Sequence, residues 1–202
     1  MTGATDIEFA LPGTWWSLDL AGESESVARR IKAMVDKAVG PRDDLAKVRG
    51  DLRAQLEKVA ADGRASKTDQ LHIARTLIGP MPFPVSLAVS RPGIFVPVGA
   101  TAGETVSTML SMIPGDQPTV VDHASLAIVR STHTVGAVGE DGTDGPRVAR
   151  LTANYWIALD GSGKLVVFTF IASLEGLDEP LLTLFDAIAY SVRVRESAAI
   201  PG

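Results

Sequence analysis

The segment Lys164–Ser173 constrains this chain more than any other. Val166, Phe168 and Phe170 fall on one face of an extended strand, and Leu165, Val167 and Ile171 fall on the other. A strand that is apolar on both faces must be covered on both, so it belongs in the middle of a sheet with helices packed on either side. Two further strands precede it, over 125–138 and 148–159. The glycine-rich linkers 139–145 and 160–163 between the three read as hairpin loops. The expected fold class is therefore α+β, an antiparallel sheet sandwiched between helices.

The remaining elements fit around that strand. Ile7, Phe9 and Leu11 alternate with other residues up to Pro12-Gly13, which predicts an opening strand. Beyond this turn Trp16, Leu18 and Leu20 share one face, and Trp15, Ser17 and Asp19 share the other. From 24 to 62 the pattern becomes helical. Val27, Ile31, Met34, Val35 and Ala38 form one stripe, and Leu45, Val48, Leu52, Leu56 and Val59 form a second beyond Gly40-Pro41. This predicts a helical hairpin with Arg49 and Arg53 on its solvated face and Asp43–Lys47 and Arg53–Glu57 as helical charge pairs. Strands are expected over 71–78 and 85–89, with Pro80, Pro82 and Pro84 forcing an extended connection. A short helix is expected over 104–113. A last helix should start near Asp178-Glu179-Pro180, with Asp178 as cap, and bury Leu181, Leu184, Phe185 and Ile188. Ser191 to Val194 reads as a short final strand. With no repeat and no linker-like tract, residues 1–202 read as a single domain.

Composition enters as a filter on function. The chain has no cysteine, which removes disulfides, thiolate metal sites and a thiol nucleophile. Its formal net charge of −5 argues against a broad nucleic-acid surface. The hairpin's basic residues are offset by its acids and read as a solvated face. No signal-peptide core and no spanning segment is legible, so a cytoplasmic protein without membrane contact is expected.

Chemical motifs inform mostly by failing. Gly161-Ser162-Gly163-Lys164 lacks the first glycine of a phosphate loop and has Leu165 in place of its hydroxyl residue, so it reads as a turn. Asp122, His123 and His133 could contribute to a triad, but nothing marks out a serine. Glu140, Asp141 and Asp144 supply too few ligands for a calcium loop. Arg49-Gly50-Asp51 spells an adhesion tripeptide but sits inside a predicted helix. No cofactor or metal is expected. The aromatic residues are more telling, since Trp15 and Trp156 each share a face with polar neighbours. Both are candidate partner contacts, because tryptophan is enriched among residues that dominate interface energies. Packing beneath a helix is the plainer alternative for each.

The opening Phe9-Ala-Leu-Pro-Gly-Thr-Trp15 resembles the start of PsbP/Mog-like domains, the group with DcrB- and LpqN-type proteins. The C-terminal third is also similar, with paired strands around Asp-Gly-Ser-Gly and then a helix running through Phe185-Asp186-Ala187-Ile188 into Ser191-Val192-Arg193. The likeness covers the two ends, about half the chain, and the helical hairpin departs from it. The layout also resembles actinobacterial proteins encoded near type VII secretion genes. The resemblance implies a non-enzymatic α/β/α sandwich that binds another protein, an accessory rather than cargo of such a system; a monomer or homodimer is expected. It carries over no site residues, and the substrate signature of that secretion route is missing, with Leu159 and Val194 four positions after Tyr155 and Tyr190. The alternative is a small-molecule binder or enzyme with a pocket between sheet and helices. For the tryptophans, strict alternation buries Trp16 and exposes Trp15, whereas the resemblance implies the reverse.

Overall fold

The computed structural model describes residues 7–76, 84–93, 96–113, 118–135, 150–159, 163–174 and 176–194. The chain divides into two compact units, Gly13–Pro92 and Met1–Pro12 with Gly93–Gly202. The fold class is α+β: helices pack on antiparallel strands, as the sequence pattern predicts.

The Gly13–Pro92 unit follows directly from side-chain periodicity. Strands β2 (Thr14–Asp19), β3 (Thr68–Thr76) and β4 (Val85–Ser90) pair antiparallel in that order, after a two-residue strand β1 (Ile7–Glu8) that belongs to the other unit. Helices α1 (Ser24–Val39) and α2 (Ala46–Ala65) form the hairpin. One contiguous cluster joins Leu18, Leu20 and Leu71 of the sheet side to Val27, Ile31 and Val35 of α1 and Leu56 and Ala60 of α2, with Trp16 and Leu52 packed against it. Leu52 and Leu56 thus lie on one stripe, as their spacing predicts, whereas Leu45 belongs to the 3₁₀ turn before α2 and is not part of the cluster.

Two expectations for α2 need correction. Val48 and Val59 are 50% and 43% exposed, and Ala60 takes the core position. Leu56 and Ala60 join the cluster with α1 and the sheet, and with that face turned inward both valines point outward. Arg49 is also not a purely solvated residue. Its Nη1 donates to the carbonyls of Gly40 and Arg42, each at 2.7 Å, tying down the chain between the helices. Arg53 is exposed and closes the expected pair with Glu57 at 2.8 Å.

In the other unit, β5 (Thr119–Val121), β6 (Ala127–Val135), β7 (Arg150–Ala158) and β8 (Leu165–Ala172) run antiparallel to their neighbours, β8 next to β7 next to β6 next to β5. Helices α3 (Ala102–Met112) and α4 (Asp178–Tyr190) cover opposite faces of this sheet. Met109 and Ile113 pack with Ala127, Val129, Ala158 and Leu165 on one face. On the other, Phe185 stacks on Phe170 at 4.2 Å between ring centroids. Phe168 and Phe170 are fully buried and Ile171 is half-buried, so β8 is covered on both faces. Its role as the most enclosed strand follows from its sequence.

Polar contacts fix the details. Asp186 of α4 accepts from Arg130 Nη1 at 2.6 Å and from the Tyr155 hydroxyl at 2.8 Å, which anchors the helix across two strands. Burial, with the Asp186 carboxylate next, pushes the Tyr155 hydroxyl pKa far up. The start of α3 is a full capping box between Thr101 and Glu104, the reciprocal pairing that satisfies two orphan amides. Gly163 needs its left-handed backbone (φ 69°), and a Cβ there would meet the Val96 carbonyl at 2.9 Å.

The strand expected at the N-terminus shrinks to Ile7–Glu8, paired with β9 (Arg193–Val194). Phe9 instead places its ring edge-on to Phe168 at 4.8 Å. The cap of α4 is Leu177 rather than Asp178, which lies in the first turn and interacts with the helix's positive end. Strand β5 was not legible in the sequence. The loops 139–145 and 160–162 and most of the proline-rich connection lie outside the described residues.

The two faces of α2 predict a sharp contrast. Leu56→Ala should lower stability by about 2–5 kcal/mol and Val48→Ala by no more than about 0.5 kcal/mol, measured by urea unfolding. Equal losses at the two sites would contradict the observed phase of the helix.

Candidate interaction site

The site begins with the pairing of β2 and β3. Leu20 N–H donates to the Asp69 carbonyl at 2.7 Å, and the register aligns Asp19 with Gln70, Leu18 with Leu71 and Ser17 with His72. Antiparallel ladders alternate hydrogen-bonded and non-hydrogen-bonded pairs. The Leu20–Asp69 bond therefore makes Leu18–Leu71 a hydrogen-bonded pair and places Ser17 and Asp19 at non-hydrogen-bonded positions. Their backbone N–H and C=O groups point away from β3. Among the described residues β2 pairs with β3 alone, so among them no strand takes up these outward groups.

A cleft of about 360 Å³ lies over the neighbouring β2–β3 pairs, lined by Ser17, Leu18, Asp19, Gln70 and His72 together with Arg30 of α1. Asp19 accepts from the Ala21 amide at 3.1 Å and lies 3.6 Å from Arg30 Nη1. The contact with Arg30 is loose, and both side chains are about half exposed. Non-hydrogen-bonded cross-strand positions bring side chains closest, and here they set Ser17 Oγ 2.8 Å from His72 Nδ1. Burial drives the His72 pKa down to about 4, so the ring is neutral at pH 7. The sequence did not reveal this Ser–His pair, because 55 residues separate its members and only the strand register brings them together.

Both tryptophans of β2 are half-buried. Trp16 packs against the α1–α2 cluster, on the side that alternation assigns to it. The Arg75 guanidinium lies over its ring, 5.3 Å from the centroid, at cation–π distance. A register irregularity between Thr14 and Trp15 aligns Trp15 with Ala74 and leaves Arg75 as the extra residue of β3. Trp15 lies at this bulge, next to the outward-facing positions of β2. Trp156 is on β7, half-buried and packed against the α3 cluster.

The histidines considered for a triad are engaged elsewhere. His123 Nδ1 accepts from the amides of Ser125 and Leu126 at 3.1 and 3.0 Å, while Nε2 lies 3.0 Å from the Tyr190 carbonyl. His133 is exposed on β6. Other hollows lie elsewhere in the described residues. One is an apolar groove of about 220 Å³ between α1 and α2, and another is a void of about 70 Å³ beside the start of α3. Among the described residues no three His, Asp or Glu side chains gather as a metal cluster, and no helix is long and apolar enough to cross a membrane.

Comparison with family models, curated proteins and solved structures returned no match.

The His72 environment fixes a pH dependence. The folded state binds a proton there only near pH 4, whereas the unfolded chain binds it near 6.5. The unfolded state therefore holds more protons between these values. Its contribution to stability is complete above about pH 6.5 and falls as pH drops toward 4, by about 3 kcal/mol. Urea unfolding between pH 4 and 7 should show this slope, and His72→Gln should flatten it. An unchanged slope in the variant would contradict the burial of this ring.

Proposed function

We propose that this chain is a non-enzymatic protein-binding module that takes up an extended segment of its partner along the β2 edge. The supporting observation is the pair of outward-facing backbone positions, Ser17 and Asp19, lining a cleft on an exposed strand. An added strand gains its affinity from such main-chain groups, and flanking side chains set its specificity. Trp15 and Trp16 stand at the upstream end of the cleft and supply contact area that an interface can bury. The resemblance to PsbP/Mog-like domains and to proteins encoded near type VII secretion genes supports the same reading. We place the module in the cytoplasm as an accessory to that kind of system.

The Ser17–His72 contact favours one second reading, a hydrolase with Ser17 as nucleophile. It is the weaker reading, since an imidazole with a pKa near 4 is a poor base at neutral pH. Hydrogen bonding between this pair is also what close cross-strand neighbours do.

Photo-crosslinking tests the proposal. A benzophenone amino acid in place of Trp15 should give a discrete protein adduct in the source cell, and the same group in place of Val59 should not. Adducts of equal yield from both positions, or none from position 15, would overturn it. Ester hydrolysis abolished by Ser17→Ala would carry the hydrolase reading instead.

A further inference from the structure

His123 sits where the turn between β5 and β6 meets the end of α4, and its two ring nitrogens do different work. Nδ1 accepts from the backbone amides of Ser125 and Leu126, at 3.1 and 3.0 Å. An imidazole nitrogen that accepts carries no proton, so this pattern assigns the ring proton to Nε2. Nε2 lies 3.0 Å from the carbonyl of Tyr190, the last residue of α4, and donates to it. One ring thus satisfies two amides of the turn on one side and a helix-terminal carbonyl on the other. The Tyr190 ring packs on the imidazole at 4.9 Å between centroids. The histidine is half-buried, so protons reach it.

The charged and titratable groups described around the ring come from three elements. Arg193 of β9 holds Nη1 3.5 Å from Nε2 and donates to the carbonyls of Tyr190 and Val192. Asp122 is exposed on the turn itself. Asp186, one turn before Tyr190 on α4, is taken up by Arg130 and Tyr155.

We infer that His123 is an acid-sensitive latch, which holds the β5–β6 turn closed while neutral and releases it on protonation. Imidazolium is a donor at both nitrogens, so Nε2 keeps its bond to the Tyr190 carbonyl. At Nδ1 the new N–H would point at two amide N–H groups, three donors with no acceptor between them. Leu126 is buried, and its orphaned amide is costly until the turn opens to water. The ring therefore stays with α4 and the turn lets go. Arg193 and the carbonyl end of α4 remain beside the ring in both forms and leave the balance between closed and open turn unchanged. Acid favours the open turn, because only the open turn has room for a second ring proton. Imidazole changes charge between pH 5 and 8, so modest acidification is the signal. Release loosens β5, a three-residue strand that pairs with β6 alone among the described strands. The latch is separate from the pH dependence set by His72, which belongs to the Gly13–Pro92 unit.

Residue-resolved amide exchange of the full chain, corrected for the intrinsic rate at each pH, tests the latch from about pH 7.5 to about pH 5. Protection at Ser125 and Leu126 should fall about ten-fold or more with acid, beyond any loss at Tyr155, which lies in β7 between two strands. Asparagine sets an acceptor oxygen close to where Nδ1 stands and does not titrate, so His123→Asn should keep both amides protected across the range. Imidazole nitrogen-15 shifts of the wild-type protein give a readout that needs no variant. They should place the proton on Nε2 at neutral pH, with the Ser125 and Leu126 amide shifts following the titration of the ring. Protection that ignores pH, an acid loss equally large in His123→Asn, or a neutral ring protonated on Nδ1 would each overturn the latch. Should the variant lose protection at every pH, the wild-type titration decides, and amide shifts that do not follow the ring overturn it.

Discussion

The bond from Leu20 N–H to the Asp69 carbonyl, 2.7 Å long, sets the phase of the ladder between β2 and β3. Once that bond is made, Leu18 and Leu71 must exchange their backbone hydrogen bonds. Ser17 and Asp19 must then direct theirs outward. The pleat separately turns Trp16, Leu18 and Leu20 toward α1 and α2, where they join one apolar cluster. Burial fixes which side chains face the helices, and ladder phase fixes which backbone groups face the edge. A slip of one residue would expose the three apolar side chains and bury Asp19, so the cluster enforces the register on which the edge depends.

The two units reach order by different means. In Gly13–Pro92 the helices carry few strong anchors, and the hairpin is fixed by Ile31, Val35 and Leu56 together with Arg49 bound to the linker carbonyls. In the other unit large aromatic rings dominate. Phe170 contacts Tyr155, Phe168 and Phe185, and the Asp186 carboxylate ties α4 to Arg130 and Tyr155. Aromatic pairs of this kind contribute beyond the area they bury.

Much of this architecture was legible in the residues. The double-faced apolar run at 165–171 announced an enclosed strand, and the stripes through Val27, Ile31 and Val35 and through Leu52 and Leu56 announced the hairpin. The phase of α2 was not legible. Val48 and Val59 fit a helical spacing with Leu52 and Leu56 as plausibly as Ala60 does, and packing against α1 and the sheet, which leaves little trace in the sequence of α2, decides for Ala60. Strand β5 escaped because three residues are too few for a periodic signal. Of the candidate site, Trp15 and its neighbourhood could be read directly. The Ser17–His72 pair and the outward amides could not, since both depend on a register between strands that α1 and α2 separate in sequence.

Amide hydrogen exchange of the unbound protein, followed by nuclear magnetic resonance, tests the central claim most directly. The account predicts that Ser17 and Asp19 exchange rapidly at neutral pH while Leu18, between them and bonded to Leu71, is protected by orders of magnitude. Comparable protection at all three amides would show that the edge is already paired, and would contradict the account.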